Sequence, residues 1–220
     1  MIYSPGRRYL FIHQPKTGGT ALALALEARA MKDDIMLGDT PKARKRRGRI
    51  KDVESRGRLW KHSTLADLEG LVPRDALDDL FVFTLVRNPW DRLVSYYHWL
   101  KDQSFDHPAV GLSKSLPFDA FLQHPMIAHS IRETPSRHYV TGADGKERCA
   151  AFIRLEHFDD DAAPLFDHLG FRFGLERVNS SNRDRAYDAY YDTELRELVA
   201  NICSEDIARF AYEYDYPQLS

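Results

Sequence analysis

Between Tyr9 and Thr20 the chain reads YLFIHQPKTGGT, and this stretch restricts the possible folds more than any other. A short apolar run, Tyr9-Leu10-Phe11-Ile12, stops at a proline, and a Lys-Thr-Gly-Gly-Thr turn follows. Next comes ALALALEA, a dense run of strong helix formers. Strand, glycine-rich turn and helix in that order build a site for an anion. The turn's N–H groups and the helix N-terminus converge on one spot, and Lys16 adds a full charge. In the phosphate loop of nucleoside triphosphatases, GxxxxGK[ST], the lysine follows the glycines. Here Lys16 precedes them, and no glycine stands five residues ahead of it. That order argues against an ATP or GTP loop.

A second unit of the same kind begins at Leu80. LFVFTLV is a continuous apolar run rich in Val and Phe, as expected of a central parallel strand buried on both faces. Asn88 suits an N-cap, Pro89 the first helical position and Asp91 the positive end of the helix dipole. Trp90, Leu93, Val94, Tyr97 and Leu100 then mark one apolar helix face, while Asn88, Asp91, Arg92 and Ser95 share another. Helical spacing brings Arg87 near Ser95, two turns along. Such a pair can clamp a phosphate, and it can equally be an ion-paired arginine above a helix serine.

Elsewhere the pattern is coarser. Ile35-Met36-Leu37 and Ala151 to Leu155 read as further strands. The basic run from Pro41 to Lys51 lacks hydrophobic periodicity and reads as a loop, either a solvated surface or a landing strip for an acidic acceptor. Ser63 is a candidate N-cap for a short helix, which leaves His62 on the loop ahead of it. Phe105 to His138 reads as irregular with short helices, and Asp159 to Gly170 as one helix. Asn179 to Arg183 lies in a polar loop, and Thr193 to Tyr214 is an amphipathic helix, or two with a break near Ser204. Strands alternating with helices, and anion sites just beyond two strand ends, fit an open parallel α/β sheet with ligands outside its carboxyl edge.

A chain of 220 residues is expected to form one domain, residues 1–220. A net charge of −2 and the lack of aromatic interleaving in the basic run argue against nucleic acid as a partner. Cys149 and Cys203 follow no metal-ligand spacing and read as free thiols of a reducing compartment. No apolar run approaches the roughly 20 residues that span a bilayer. The first strand begins within ten residues of Met1, which leaves no room for a signal peptide. The expectation is a cytoplasmic protein without a transmembrane segment.

PKTGGT after one strand and RNPWDRLVSYY after another resemble the sulfotransferases that use 3′-phosphoadenosine 5′-phosphosulfate (PAPS). The likeness is to the carbohydrate-type family, with its Golgi enzymes and bacterial relatives. It extends to KHSTLADL, FIRLEHF and VNSSNRDRAYDAYYD, and so covers most of the chain. The resemblance implies a single α/β domain with a central, mostly parallel sheet flanked by helices, a P-loop-like nucleotide fold. It assigns Lys16, Thr17, Gly18, Gly19 and Thr20 to the 5′-phosphosulfate, and Arg87 and Ser95 to the 3′-phosphate. Asn179, Ser181 and Arg183 would close over the nucleotide.

The implied reaction is in-line displacement at sulfur by an acceptor hydroxyl, on a carbohydrate or glycolipid that could be acidic, with adenosine 3′,5′-bisphosphate (PAP) as product. Lys16 faces the charge that builds on the leaving phosphate, so no metal is expected. His62 is the implied general base, with Glu156 and His98 as competitors; histidine's ordinary pKa suits that role. His13, beside the first strand, reads as structural. Two other readings stay open: a nucleotide kinase or NTPase with an atypical loop, and a non-catalytic module that retains a PAP pocket.

Overall fold

The structure, a computed structural model, describes residues 1–176 and 186–215. The chain runs β1 (Ile2–Ser4), β2 (Tyr9–Ile12), α1 (Gly19–Ala28), β3 (Ile35–Met36), α2 (Pro41–Arg46), α3 (Arg74–Leu77) and β4 (Phe81–Val86). Then come α4 (Pro89–Lys101), α5 (Pro108–Ser115), α6 (Phe118–Gln123), α7 (Pro125–Glu133) and α8 (Ser136–Val140). It continues through β5 (Ala151–Arg154), α9 (Phe158–Asp161), α10 (Ala163–Leu169), α11 (Thr193–Ile202) and α12 (Ser204–Phe210). Two compact units result. One holds Met1–Val86 and the stretch that starts at Ser136; the other starts at Arg87, runs to Pro135 and includes the C-terminal helices.

The first unit is built on a five-stranded sheet in the order β3-β1-β2-β4-β5. β2, β4 and β5 are parallel neighbours, with Phe11 opposite Phe83 and Leu85 opposite Ile153. β1 runs antiparallel to both β2 and β3, which makes the sheet mixed. Alternation along the strands divides the core into two layers. Tyr9, Phe11, Phe83, Leu85 and Ile153 pack on one face with Leu22 and Leu26 of α1 and with Leu165 and Phe166 of α10. Leu10, Ile12 and Val82 pack on the other, beneath Leu65, Leu68 and Val140. Burial on both faces explains the unbroken apolar runs of β2 and β4. Full burial of a side chain such as Phe11 or Phe83 stabilises by about 1.5–3 kcal/mol.

The helical unit starts with α4, whose N-cap is Asn88 as expected: its side chain accepts from the N–H groups of Trp90 and Asp91. Tyr97 packs edge-on to Phe118, and its hydroxyl donates to the Leu116 carbonyl at 2.8 Å. Trp90 Nε1 donates to the Arg196 carbonyl of α11, and the Tyr191 hydroxyl to the Trp90 carbonyl. The break expected near Ser204 separates α11 from α12.

Three local expectations are corrected. The basic run is not a loop but helix α2 and a 3-10 turn, Arg47–Ile50, because Thr40-Pro41 starts a helix and neighbouring carbonyls hold its cations. Ser63 caps no helix: its hydroxyl donates to the Arg58 and Trp60 carbonyls. Thr64 and Asp67 instead pair at the start of the 3-10 turn Ala66–Leu68, with Thr64 Oγ1 accepting from the Asp67 N–H and Asp67 Oδ2 from the Thr64 N–H. The helix expected over Asp159 to Gly170 is two, α9 and α10, broken at Ala162; Gly170 does end the second with φ 74°. Asn179, Ser181 and Arg183 lie outside the described residues.

Candidate active site

The turn after β2 is held by its own side chains. Thr17 is buried, and its hydroxyl donates to the Gln14 carbonyl at 3.1 Å, so Thr17 offers a ligand only its backbone. The Gln14 amide is fully buried between two strand ends. Its Nε2 donates to Thr84 Oγ1 of β4 at 3.2 Å, and its Oε1 accepts from the Ser136 hydroxyl at 3.1 Å. The Thr84 hydroxyl in turn donates to the Ile12 carbonyl at 2.8 Å. One network therefore fixes the end of β2 to β4 and to α8.

Backbone geometry completes the turn. Lys16 has φ 64° and Gly18 φ 85°, both left-handed. For a lysine that conformation costs about 1–2 kcal/mol, which the surrounding bonds must hold in place. Gly18 is the N-cap of α1, and no side chain caps that helix. The ten-residue α1 thus presents an uncapped N-terminus directly behind Lys16, the arrangement that favours an anion. Gly19 is required for space: a Cβ there would lie 2.2 Å from Cδ2 of His13 and 2.4 Å from its Nε2.

His13 and His62 meet beside this turn, their ring centroids 4.7 Å apart and edge to face. The Nδ1 of His62 lies 2.7 Å from the backbone carbonyl of His13. A carbonyl only accepts, so Nδ1 carries the proton and Nε2 keeps its lone pair in the neutral ring. Burial pushes the His62 pKa down to about 3, helped by the charges of Lys61, the amino terminus and Lys16 and opposed by the bond to His13. Burial also holds His13 well below the ordinary histidine range. Both rings are neutral at neutral pH, and Lys16 acts electrostatically on both.

Of the other two candidate bases, Glu156 lies in the 3-10 turn Leu155–His157 after β5. His98 belongs to α4 in the helical unit, where its ring meets Tyr97 and Tyr190 edge-on. From the sequence His13 reads as structural, while Lys61 and Gln14 carry no signal of their own.

In the helical unit, Arg87 and Asp91 form a buried i,i+4 ion pair, with Nε and one Nη of the guanidinium on Asp91 Oδ2. The pair sets the plane of the guanidinium. Ser95 follows Asp91 at the same spacing and is buried.

A model of the sulfotransferase family matches residues 1–213. The chain belongs to that family. Among solved structures, this sulfotransferase matches the crystal structure of mouse sulfotransferase SULT7A1 complexed with PAP. That match covers 99% of this chain and 72% of the mouse chain, at 16% identity and a TM-score of 0.42. No curated protein matches the chain. Among the described residues, no helix of this sulfotransferase is long and apolar enough to cross a membrane.

Proposed function

We propose that the protein transfers the sulfuryl group of PAPS to an acceptor hydroxyl on a carbohydrate or glycolipid, in the cytoplasm. The observation that carries this reading is the bond from His62 Nδ1–H to the His13 carbonyl, which leaves Nε2 as the nitrogen that can accept a proton, with Lys16 near enough to act on the ring electrostatically.

Lys16, the N–H groups of Thr17 to Thr20 and the uncapped N-terminus of α1 hold the 5′ end of the donor. The left-handed Lys16, the Gly18 cradle and the missing side-chain cap all fit an anion there. Arg87, oriented by Asp91, takes the 3′-phosphate together with Ser95. Asn179, Ser181 and Arg183 are assigned to the nucleotide by the family resemblance alone.

When bound, the donor supplies a sulfuryl group on a good leaving group. The acceptor oxygen forms the new bond to sulfur as the bond from sulfur to the 5′-phosphate oxygen breaks. His62 Nε2 receives the hydroxyl proton, and the negative charge released on the 5′-phosphate is met by Lys16 and the turn. The donor's anionic groups also favour the imidazolium that forms, offsetting the cations that depress His62 in the free protein.

The test pairs calorimetric binding of PAP and ATP with transfer from labelled PAPS to a panel of saccharide and glycolipid acceptors. PAP binding tighter than ATP is expected, with transfer abolished in Lys16→Ala and Arg87→Ala. ATP affinity equal to or better than that for PAP would overturn the proposal.

A further inference from the structure

Residues 56 to 69 form a loop closed on itself. Arg56 and Gly57 donate their N–H groups to the carbonyls of Glu69 and Asp67 at 2.9 and 3.2 Å. Gly57 packs so closely on Asp67 that a Cβ there would lie 1.9 Å from its Oδ1. Inside the loop, the fully buried Ser63 hydroxyl accepts the Trp60 N–H at 2.9 Å and donates to the Arg58 and Trp60 carbonyls. The Leu65 N–H donates to the Tyr139 carbonyl of α8 at 2.8 Å, which fixes the loop to the sheet's own unit. The tip that these bonds hold carries Trp60 and His62.

Those two side chains meet. The Trp60 indole stands edge to face with the His62 imidazole, their centroids 5.0 Å apart and their planes at 87°. His62 therefore touches two rings, Trp60 and His13, while its Nδ1–H is committed to the His13 carbonyl. The Arg58 guanidinium lies over the indole, 5.3 Å from its centroid. Trp60 is 40% exposed and belongs to neither apolar layer of the sheet, whereas its neighbour Leu59 packs into one of them. Core packing thus accounts for Leu59 and leaves the indole unexplained.

We propose that Trp60 is a positioning residue for the reaction: its ring holds the His62 imidazole in the plane in which Nδ1–H reaches the His13 carbonyl and Nε2 is left to accept the hydroxyl proton. The proposal rests on the sulfotransferase reading above and adds a residue to its proton transfer. A histidine side chain turns about two bonds, and a single hydrogen bond leaves its ring free to rock. Two edge-to-face contacts remove that freedom. The indole also keeps water from the ring. Burial is the largest cause of the low His62 pKa, ahead of the charges of Lys61, the amino terminus and Lys16. Arg58 in turn steadies the indole.

The test is nitrogen NMR of the imidazole in isotope-labelled protein at pH 7, read beside single-turnover transfer from labelled PAPS and PAP calorimetry. In the wild-type protein His62 is expected to show the Nδ1–H tautomer alone. Trp60→Ala is expected to give a mixture of tautomers and a transfer rate at least about tenfold lower, with PAP affinity unchanged. Trp60→Phe restores both, because a phenyl ring can make the same edge-to-face contact. Trp60→Leu keeps apolar bulk in the loop should alanine fail to fold, and it carries the same expectation as alanine. A tautomer that stays Nδ1–H in these two variants, a rate within twofold of wild type, or a phenylalanine variant as slow as alanine each overturns the role of Trp60 and leaves PAP binding and transfer standing. A wild-type protein that binds no PAP overturns the sulfotransferase reading, and this role with it.

Discussion

The side chain of His62 donates its Nδ1–H to the main-chain carbonyl of His13 at 2.7 Å, and this one bond decides which nitrogen can accept a proton. Because the partner is backbone, the tautomer follows from the path of β2 rather than from a second ionisable group. Asparagine at position 62 can place an amide N–H on the same carbonyl and has no basic nitrogen. His62→Asn is therefore expected to keep the fold and PAP binding while kcat falls about 10²–10⁴-fold. Single-turnover transfer from labelled PAPS, with PAP calorimetry on the same sample, checks this; activity within twofold of wild type would remove His62 as the base.

Both histidines also make stability depend on pH. Their folded pKa values are lowered, His62 to about 3, so the unfolded chain binds protons that the folded chain does not. Stability from this source is fully present above the unfolded value near 6.5 and is lost as pH falls from there toward 3. Asp39, whose carboxyl is also lowered, acts only below the ordinary carboxylate range. The urea midpoint is accordingly expected to fall between pH 7 and pH 5, and to fall less in His62→Asn. Parallel curves for the two proteins across that interval would contradict the assignment.

How far the sequence exposes these features depends on whether the cause is a side-chain pattern or a main-chain contact. β4 was legible because burial on both faces forces a continuous apolar run, and Asn88-Pro89 marked the start of α4 through local capping chemistry. β1 was not read, since three residues are too short to show a period and its pairing depends on β2 folding back. The helicity of the basic run was hidden for a related reason. Its cations bond to carbonyls in the α1–β3 segment, and a carbonyl leaves no mark in composition. At the site, the Lys16 turn is local and visible, whereas His62 reaches His13 across 49 residues through a backbone atom. Gln14 gave no signal because its two partners, Thr84 and Ser136, are brought to it only by the sheet.

Gly19 and His13 form a second coupled pair. An alanine Cβ at position 19 would lie 2.2 Å from the His13 ring, which is buried and stacked on Phe11, with little room to yield. Gly19→Ala is expected to destabilise by about 1–3 kcal/mol, as overpacking does. His13→Ala opens the space, so the double variant should be more stable than the two single losses predict, by about 0.5–3 kcal/mol. Urea denaturation of the four proteins measures the coupling directly. Additive losses would mean that Gly19 is required by something other than the His13 ring.

The last prediction concerns Gln14, whose amide joins β2, β4 and α8 without touching any proposed ligand. Replacing it with leucine keeps its approximate volume and leaves the hydroxyls of Thr84 and Ser136 each short of one buried partner. Each hydrogen bond lost there costs about 0.5–1.5 kcal/mol. The Thr84 hydroxyl keeps its bond to the Ile12 carbonyl, so what it loses is the contact with the Gln14 amide. If the network only supports the core, Gln14→Leu should lower stability and leave PAP affinity alone. If it also sets the left-handed Lys16 turn, PAP affinity should fall while the KM for the acceptor stays near its wild-type value. The second outcome is expected, because the Gln14 carbonyl is the acceptor that holds the Thr17 hydroxyl inside the turn. Calorimetry with PAP, under conditions where the variant is fully folded, decides between them.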